Sequence, residues 1–130
     1  MMSTAQTGLK TINLVCVPTV DQEKAVAFYE SLGFEKRTDI EMGDGYRWIE
    51  VYPAEGGTGI ALAPPPPDSG PVEPTVTGIT LTTDDIDATH AALKELGVDV
   101  DDQVARMGDP VPPLLWFRDP TGHTLMVAEV

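Results

Sequence analysis

An internal repeat is the feature that most limits how this chain of 130 residues can fold. When the sequence is displaced by 64 positions, residues 14–17 (LVCV) fall on 78–81 (GITL), and Asp21 falls on Asp85. A Leu-Gly pair further along each copy aligns as well. Each copy therefore has a short apolar strand, an aspartate that can cap a helix, and a Leu-Gly pair before the next strand. The repeat predicts two modules with the same order of elements.

The first copy is predicted to be a βαβββ unit. Its helix begins at Asp21, because an aspartate carboxylate can accept a backbone N–H of the first helical turn. Gly33 follows the helix, at a position that favours positive φ. The apolar residues that share one face of this helix are Ala25, Phe28, Tyr29 and Leu32. Strands are predicted at residues 12–17, 35–42, 46–52 and 58–63.

The second copy is predicted to repeat this order. Its helix begins at Asp84 or Asp85, two adjacent residues that can both act as caps. The stripe expected to face the core consists of Ile86, Thr89, Leu93 and Leu96. Strands are predicted at residues 77–82, 98–104, 114–118 and 123–130.

A proline-rich segment separates the two copies. Residues 64–71 read PPPPDSGP, and consecutive prolines favour a stiff, extended chain. We interpret the segment as a spacer rather than as a motif for a proline-binding partner. We expect a single domain over residues 1–130, with module one at about 10–63, the linker at about 64–75 and module two at about 76–130.

Composition excludes several classes of partner. No segment approaches the roughly 20 apolar residues that a membrane span needs, and the N-terminal residues show no apolar leader. The net charge of −13 disfavours nucleic acid and anionic membranes, and it favours a cationic ligand unless it serves only solubility or salt adaptation. The one cysteine, Cys16, cannot form an internal disulfide, which fits a cytoplasmic location.

Three sets of segments recur in the order of the two copies: AVAFY at 25–29 with LGF at 32–34, DDID at 84–87 with LGV at 96–98, and FRDPTGH at 117–123. Together they resemble the vicinal oxygen chelate superfamily, which includes glyoxalase I, extradiol dioxygenases, fosfomycin-resistance enzymes and bleomycin-binding proteins. The resemblance implies an α+β fold of two tandem βαβββ modules. Their mixed sheets would curve into a half-barrel cleft with the helices outside, and a second copy in a homodimer usually completes such a cleft.

The resemblance also implies where a metal ion would bind. Catalytic members hold a divalent ion with His, Gln or Glu from the first and last strands of each module. The corresponding positions here are Leu14, Gly78, Met126 and either Ala61 or Leu62. None of these side chains is a suitable ligand, and the isolated imidazoles His90 and His123 do not complete a site. We therefore predict no metal and no other cofactor.

Strand alternation predicts what the cleft contains instead. The predicted ligand-binding residues are Leu14, Cys16, Trp48, Glu50, Trp116 and Met126. The tryptophans Trp48 and Trp116 can stack on a planar ligand, and Glu50 can contact a cation. Alternatively, both tryptophans fill the core or a dimer interface. Cys16 is expected to be an inert, buried thiol.

Three functions are compatible with this pattern. We favour a homodimeric, metal-free protein that binds a small hydrophobic, aromatic or cationic metabolite. A metal-dependent lyase, isomerase or dioxygenase would need the ligands that the sequence lacks. A cofactor-free enzyme could use Glu50 as a general base, if burial raised the pKa of its carboxyl group.

Overall fold

The computed structural model describes residues 6–130 and contains two βαβββ modules, as the repeat predicts. Module one consists of β1 (Leu14–Pro18), α1 (Gln22–Ser31), β2 (Phe34–Glu41), β3 (Arg47–Pro53) and β4 (Gly59–Ala63). Module two consists of β5 (Val76–Thr83), α2 (Ile86–Glu95), β6 (Asp99–Val100), β7 (Leu114–Arg118) and β8 (Thr124–Glu129). Neither helix in the described part of the chain is long and apolar enough to cross a membrane.

Each module forms its own four-stranded mixed sheet. The first sheet has the order β1-β4-β3-β2, and the second has the equivalent order β5-β8-β7-β6. In both sheets the first strand of the module pairs in parallel with the last, and the other pairs are antiparallel. The α+β class and the tandem modules predicted from the sequence are therefore confirmed.

Both helices begin at the aspartates that the repeat aligns. The Asp21 carboxylate accepts the backbone N–H of Lys24 at 3.1 Å, and the Asp85 carboxylate accepts that of Ala88 at 3.1 Å. These bonds satisfy donors that the first helical turn leaves unpaired. Of the two caps considered for α2, Asp85 is the one that the structure uses.

One apolar cluster extends through both modules and fixes which face of each sheet is covered by a helix. In the first sheet Ile49, Val51 and Ile60 point to the helix side and are almost fully buried. Leu115 and Leu125 take the equivalent place in the second sheet. Because side chains alternate along a strand, the residues between them point to the opposite face.

Two features differ from the sequence prediction. The strand expected at residues 98–104 is reduced to Asp99–Val100, where a run of aspartates follows and Asp101 turns its carboxylate to Arg118 at 2.6 Å. Leu96, expected in the buried stripe of α2, is the C-cap residue, and 54% of its surface is exposed.

A buried hydrogen-bond network joins the two modules. Asp119, at the end of β7, is only 6% exposed. Its carboxylate accepts the hydroxyl of Tyr29 in α1 at 3.0 Å and the backbone N–H groups of Thr121 and His123 at 3.0 Å each. Burial, together with the neighbouring carboxylate, raises the pKa of Tyr29, so its hydroxyl stays protonated and donates.

His123 adds a second polar link between the modules. Its ring is completely buried, its Nδ1 accepts the backbone N–H of Thr75 at 3.1 Å, and its Nε2 lies 2.7 Å from the carbonyl oxygen of Pro18. This arrangement assigns the ring proton to Nε2, which donates to Pro18. Beside it, the rings of Phe28 and Phe117 lie 6.3 Å apart between centroids. We call this set of interactions, including Tyr29–Asp119, the first module contact.

We expect Tyr29→Phe to lower the free energy of unfolding by about 1–3 kcal/mol, because it removes a donor from a buried carboxylate. Urea denaturation followed by circular dichroism measures the change. Tyr46→Phe, which removes a hydroxyl from a half-buried tyrosine outside this contact, is the matched control. Equal stability of the Tyr29 and Tyr46 variants would show that the network does not hold the modules together.

Candidate ligand-binding site

The face of the first sheet opposite α1 carries four of the predicted site residues. Strand pairing aligns Cys16 with Ala61, Ala61 with Glu50, and Glu50 with Thr38, so these four residues form one row across the sheet. Leu14 and Trp48 lie two positions from Cys16 and Glu50 along their strands and therefore share this face. We call this surface the first cleft face.

The carboxylate of Glu50 is the centre of a hydrogen-bonded cluster on the first cleft face. Its two oxygens accept the indole N–H of Trp48 and the hydroxyl of Tyr52, each at 2.7 Å. The hydroxyl of Thr38 lies 3.4 Å from the same oxygen that Tyr52 contacts. We call these four residues the Glu50 cluster. Three donors from neighbouring positions thus fix one carboxylate between two aromatic rings.

These bonds determine the charge of Glu50. The Tyr52 hydroxyl, followed by the Trp48 indole, lowers the pKa of the Glu50 carboxyl group below its ordinary value of 4.5. In return, the bond to Glu50 raises the pKa of the Tyr52 hydroxyl. Glu50 is therefore ionised at neutral pH. The raised pKa that a general base would need is contradicted, because Glu50 is only half-buried and well supplied with donors.

The charge on Glu50 has no basic partner among residues 6–130. None of the ion pairs in this part of the chain includes Glu50. Arg37 lies 5.2 Å from the centroid of the Tyr52 ring, but its guanidinium pairs with Glu35 at 2.9 Å. The donors that hold Glu50 are neutral, so its negative charge is available to a bound cation.

Small residues under the aromatic rings shape this surface. The Tyr52 ring lies directly over Gly59, since a Cβ built at Gly59 would stand 2.5 Å from a ring carbon. Ala61 and Ala63 follow Gly59 on the same face of β4. A larger side chain at Gly59 would displace Tyr52 and with it one of the two strong bonds to Glu50.

Cys16 does not have the environment that the sequence suggested. Its side chain is exposed rather than buried, which corrects the expectation of an inert core thiol. The reason is its position on β1, where Val17 faces the core and Cys16 lies on the first cleft face. Leu14, two positions earlier, is half-buried on the same face.

The remaining two predicted residues lie on the second sheet. Strand pairing aligns Thr80 with Met126 and Met126 with Trp116, on the face opposite the buried Leu125 and Val127. Trp116 and Met126 are half-buried and line a small cavity of about 200 Å³. The structure therefore assembles the six predicted residues as two groups, one on each sheet, and assigns Trp116 to the same face as Met126.

The residues at the metal positions of the superfamily do not fit a divalent ion. Leu14 and Ala61 in the first sheet, and Gly78 and Met126 in the second, provide neither a carboxylate nor an imidazole at these positions. No three His, Cys, Asp or Glu side chains within residues 6–130 converge as a metal site. Both ring nitrogens of His123 are already hydrogen-bonded within the core.

Comparison with known proteins identifies the family. A family model described as the Glyoxalase/Bleomycin resistance protein/Dioxygenase superfamily matches residues 11–127. The uncharacterized protein YetH of Bacillus subtilis (strain 168) is 29% identical over 127 residues, which cover 93% of this chain and 99% of YetH.

Solved structures agree with this match. TnmS3, an antibiotic binding protein from Streptomyces sp. CB03234, is 34% identical, with a TM-score of 0.79 over 95% of this chain and 98% of TnmS3. A superfamily member from Sphaerobacter thermophilus DSM 20745 is 32% identical, with a TM-score of 0.84 over 95% of this chain and 99% of its own. With the tandem βαβββ modules, these similarities show that the chain belongs to the glyoxalase/bleomycin resistance protein/dioxygenase superfamily.

Proposed function

We propose that this protein binds a small, planar aromatic molecule that carries a positive charge. The observation that carries the proposal is the Glu50 carboxylate, which is ionised, fixed by Trp48 and Tyr52, and without a basic partner in the described chain. A carboxylate flanked by aromatic rings attracts a cation through its charge and through the ring faces. The donors are already in place, so little ordering is needed when the ligand binds.

The charge of the whole chain and one relative support the same conclusion. A net charge of −13 raises the local concentration of cations around the protein and repels anions. TnmS3, whose fold and sequence are similar, is an antibiotic binding protein. Binding without turnover also agrees with the lowered pKa of Glu50, since a weakly basic carboxylate is a poor general base.

The proposal includes a homodimer in the cytoplasm. The first cleft face and the Trp116–Met126 face lie on different sheets of one chain, and pairing the first sheet of one copy with the second sheet of another would enclose a ligand between them. Ile40 and Met42, at the end of β2, are exposed apolar residues beside the first cleft face and would be covered in such a dimer. The single cysteine fits a reducing compartment.

Ethidium, a planar aromatic cation, is the probe for the proposed site. We expect saturable binding, measured by ethidium fluorescence and by quenching of tryptophan emission, and we expect Glu50→Gln to weaken it at least tenfold, because the carboxylate charge is lost. Binding of the neutral analogue phenanthridine should change little in the same variant. Since the pKa of Glu50 is lowered, ethidium affinity should persist as pH falls through 4.5 and decline only below it.

Glu30→Gln is the matched control for this experiment. It removes the same charge from an exposed position on α1, away from the cleft face, so it should leave ethidium affinity nearly unchanged. Equal losses of ethidium affinity in the Glu30 and Glu50 variants would show that net charge alone causes the effect. That result would contradict a specific site.

We expect the protein in solution to have about twice the chain mass of 13.9 kDa. Light scattering coupled to size-exclusion chromatography, over a tenfold range of concentration, measures this mass. A monomer at all concentrations would contradict a cleft shared between two copies, and the first cleft face alone would then have to hold the ligand.

We expect no stoichiometric binding of zinc, nickel, manganese or ferrous iron, because Leu14, Gly78 and Met126 supply no suitable ligand atoms. Elemental mass spectrometry after equilibration with each metal and removal of the excess measures the content. Leu14→His serves as a comparison, since it adds one imidazole at a metal position. Near-stoichiometric uptake by the unmodified protein would contradict the metal-free proposal.

A further inference from the structure

The internal repeat implies two equivalent contacts between the modules, and the structure fills only one of them. By the displacement of 64 positions, Phe28 and Tyr29 of α1 correspond to Ala92 and Leu93 of α2. The first module contact places Phe28 against Phe117 and joins Tyr29 to Asp119. At the equivalent place on α2, one aromatic ring is replaced by a methyl group and the other by an aliphatic side chain.

The strand partners of this second contact are also smaller or less polar. Because the two sheets have equivalent strand orders, the paired residues Ala61 and Glu50 of the first sheet correspond to Met126 and Trp116 of the second. Counted from these rows, Asp119 corresponds to Pro53, and His123 corresponds to Thr58. The carboxylate and the imidazole that complete the first module contact therefore have no counterpart in the second.

A groove of about 610 Å³ opens where these small residues meet. Pro53, Thr58, Ala92 and Leu93 all line it, and Leu96 lies exposed at its edge. Its volume is in the range of sites that bind small molecules. The groove is thus the unfilled counterpart of the first module contact.

The groove lies on the helix side of the sheets, and Gly59 is the one residue of the first cleft face that also lines it. Val15 and Ile60 line it, and both point to the helix side of the first sheet, whereas Leu14 and Ala61 point to the cleft. Leu81 and Val127 line it from the helix side of the second sheet. Trp48 and Glu50 lie on the other face, so a ligand in the groove would not contact them.

The lining determines which chemistry the groove accepts. Its walls are mainly aliphatic, with hydroxyl groups from the bonded pair Thr83 and Thr89, whose oxygens lie 2.7 Å apart. The described residues that line it include no lysine, arginine or histidine, so an anionic head group would have no partner. Glu55 is the one charged residue among them, at an exposed position.

We propose that this groove is a second binding site, which takes a neutral and largely apolar molecule with a hydroxyl or carbonyl group. Apolar burial against Ile60, Leu81 and Leu96 supplies the affinity, and the threonine hydroxyls orient the polar group. The inference does not depend on the cationic ligand of the cleft face, because the two sites share no described side chain from the Glu50 cluster.

N-phenyl-1-naphthylamine, a neutral dye that fluoresces in apolar surroundings, is the probe for the groove. The unmodified protein should bind it saturably. Ala92→Phe, which gives α2 the ring that α1 has at Phe28, should weaken binding at least tenfold, and Ala92→Leu should give an intermediate loss. The folded state of both variants is checked by their unfolding midpoints, which should not fall.

Ala91→Phe is the matched control, since it adds the same ring at an exposed neighbouring position outside the groove. It should bind the dye as the unmodified protein does, and so should Glu50→Gln. Unchanged dye binding in Ala92→Phe, or its loss in Glu50→Gln, would overturn the proposal. So would a change of oligomeric mass in Ala92→Phe alone, which would show that a second copy occupies the groove.

Discussion

The carboxylate of Asp119 is the interaction on which the relative position of the two modules depends. It is nearly inaccessible to water, so its three hydrogen-bond donors must be present for the fold to tolerate it. Two donors come from its own turn, but the third is Tyr29 of the other module. The Oδ2 atom of Asp119 has its donor in the other module, and this bond fixes α1 over the second sheet. Every buried polar side-chain atom in residues 6–130 has a partner, which extends this condition to the whole interior.

Glu50 and Asp119 are held by the same kind of donors, but they lie in opposite surroundings. Both carboxylates accept a tyrosine hydroxyl, from Tyr52 and Tyr29 respectively, and neither forms an ion pair in the described chain. The carboxylate of Asp119 is buried, so its hydrogen bonds stabilise the contact between the two modules. Glu50 takes its donors from its own sheet and faces an open surface, so the fixed charge can be used for recognition.

The repeat and the helix caps could be predicted from the sequence because they depend on local chemistry. Asp21 and Asp85 cap their helices through residues three positions away, and strand alternation correctly separates Val51 from Glu50. The link between Tyr29 and Asp119 spans 90 positions and leaves no local pattern. From the sequence, the donors around Glu50 could be predicted only as residues on the same face of the sheet. The hydrogen bonds that lower the pKa of Glu50 could not be predicted. The exposure of Cys16 and Leu96 was missed because apolar character alone does not tell whether a neighbouring element covers a residue.

The unequal module contacts have a consequence for how such a chain tolerates change. The hydrogen bonds of Asp119 and His123 and the rings beside them hold the modules together, so the exposed Ala92 of α2 contributes little to stability. Substitutions there cost little stability as long as they stay within the volume of the groove. In a fold of two similar modules, the first module contact can therefore preserve the architecture. Residues at the groove can meanwhile change, and with them the molecules that the protein binds.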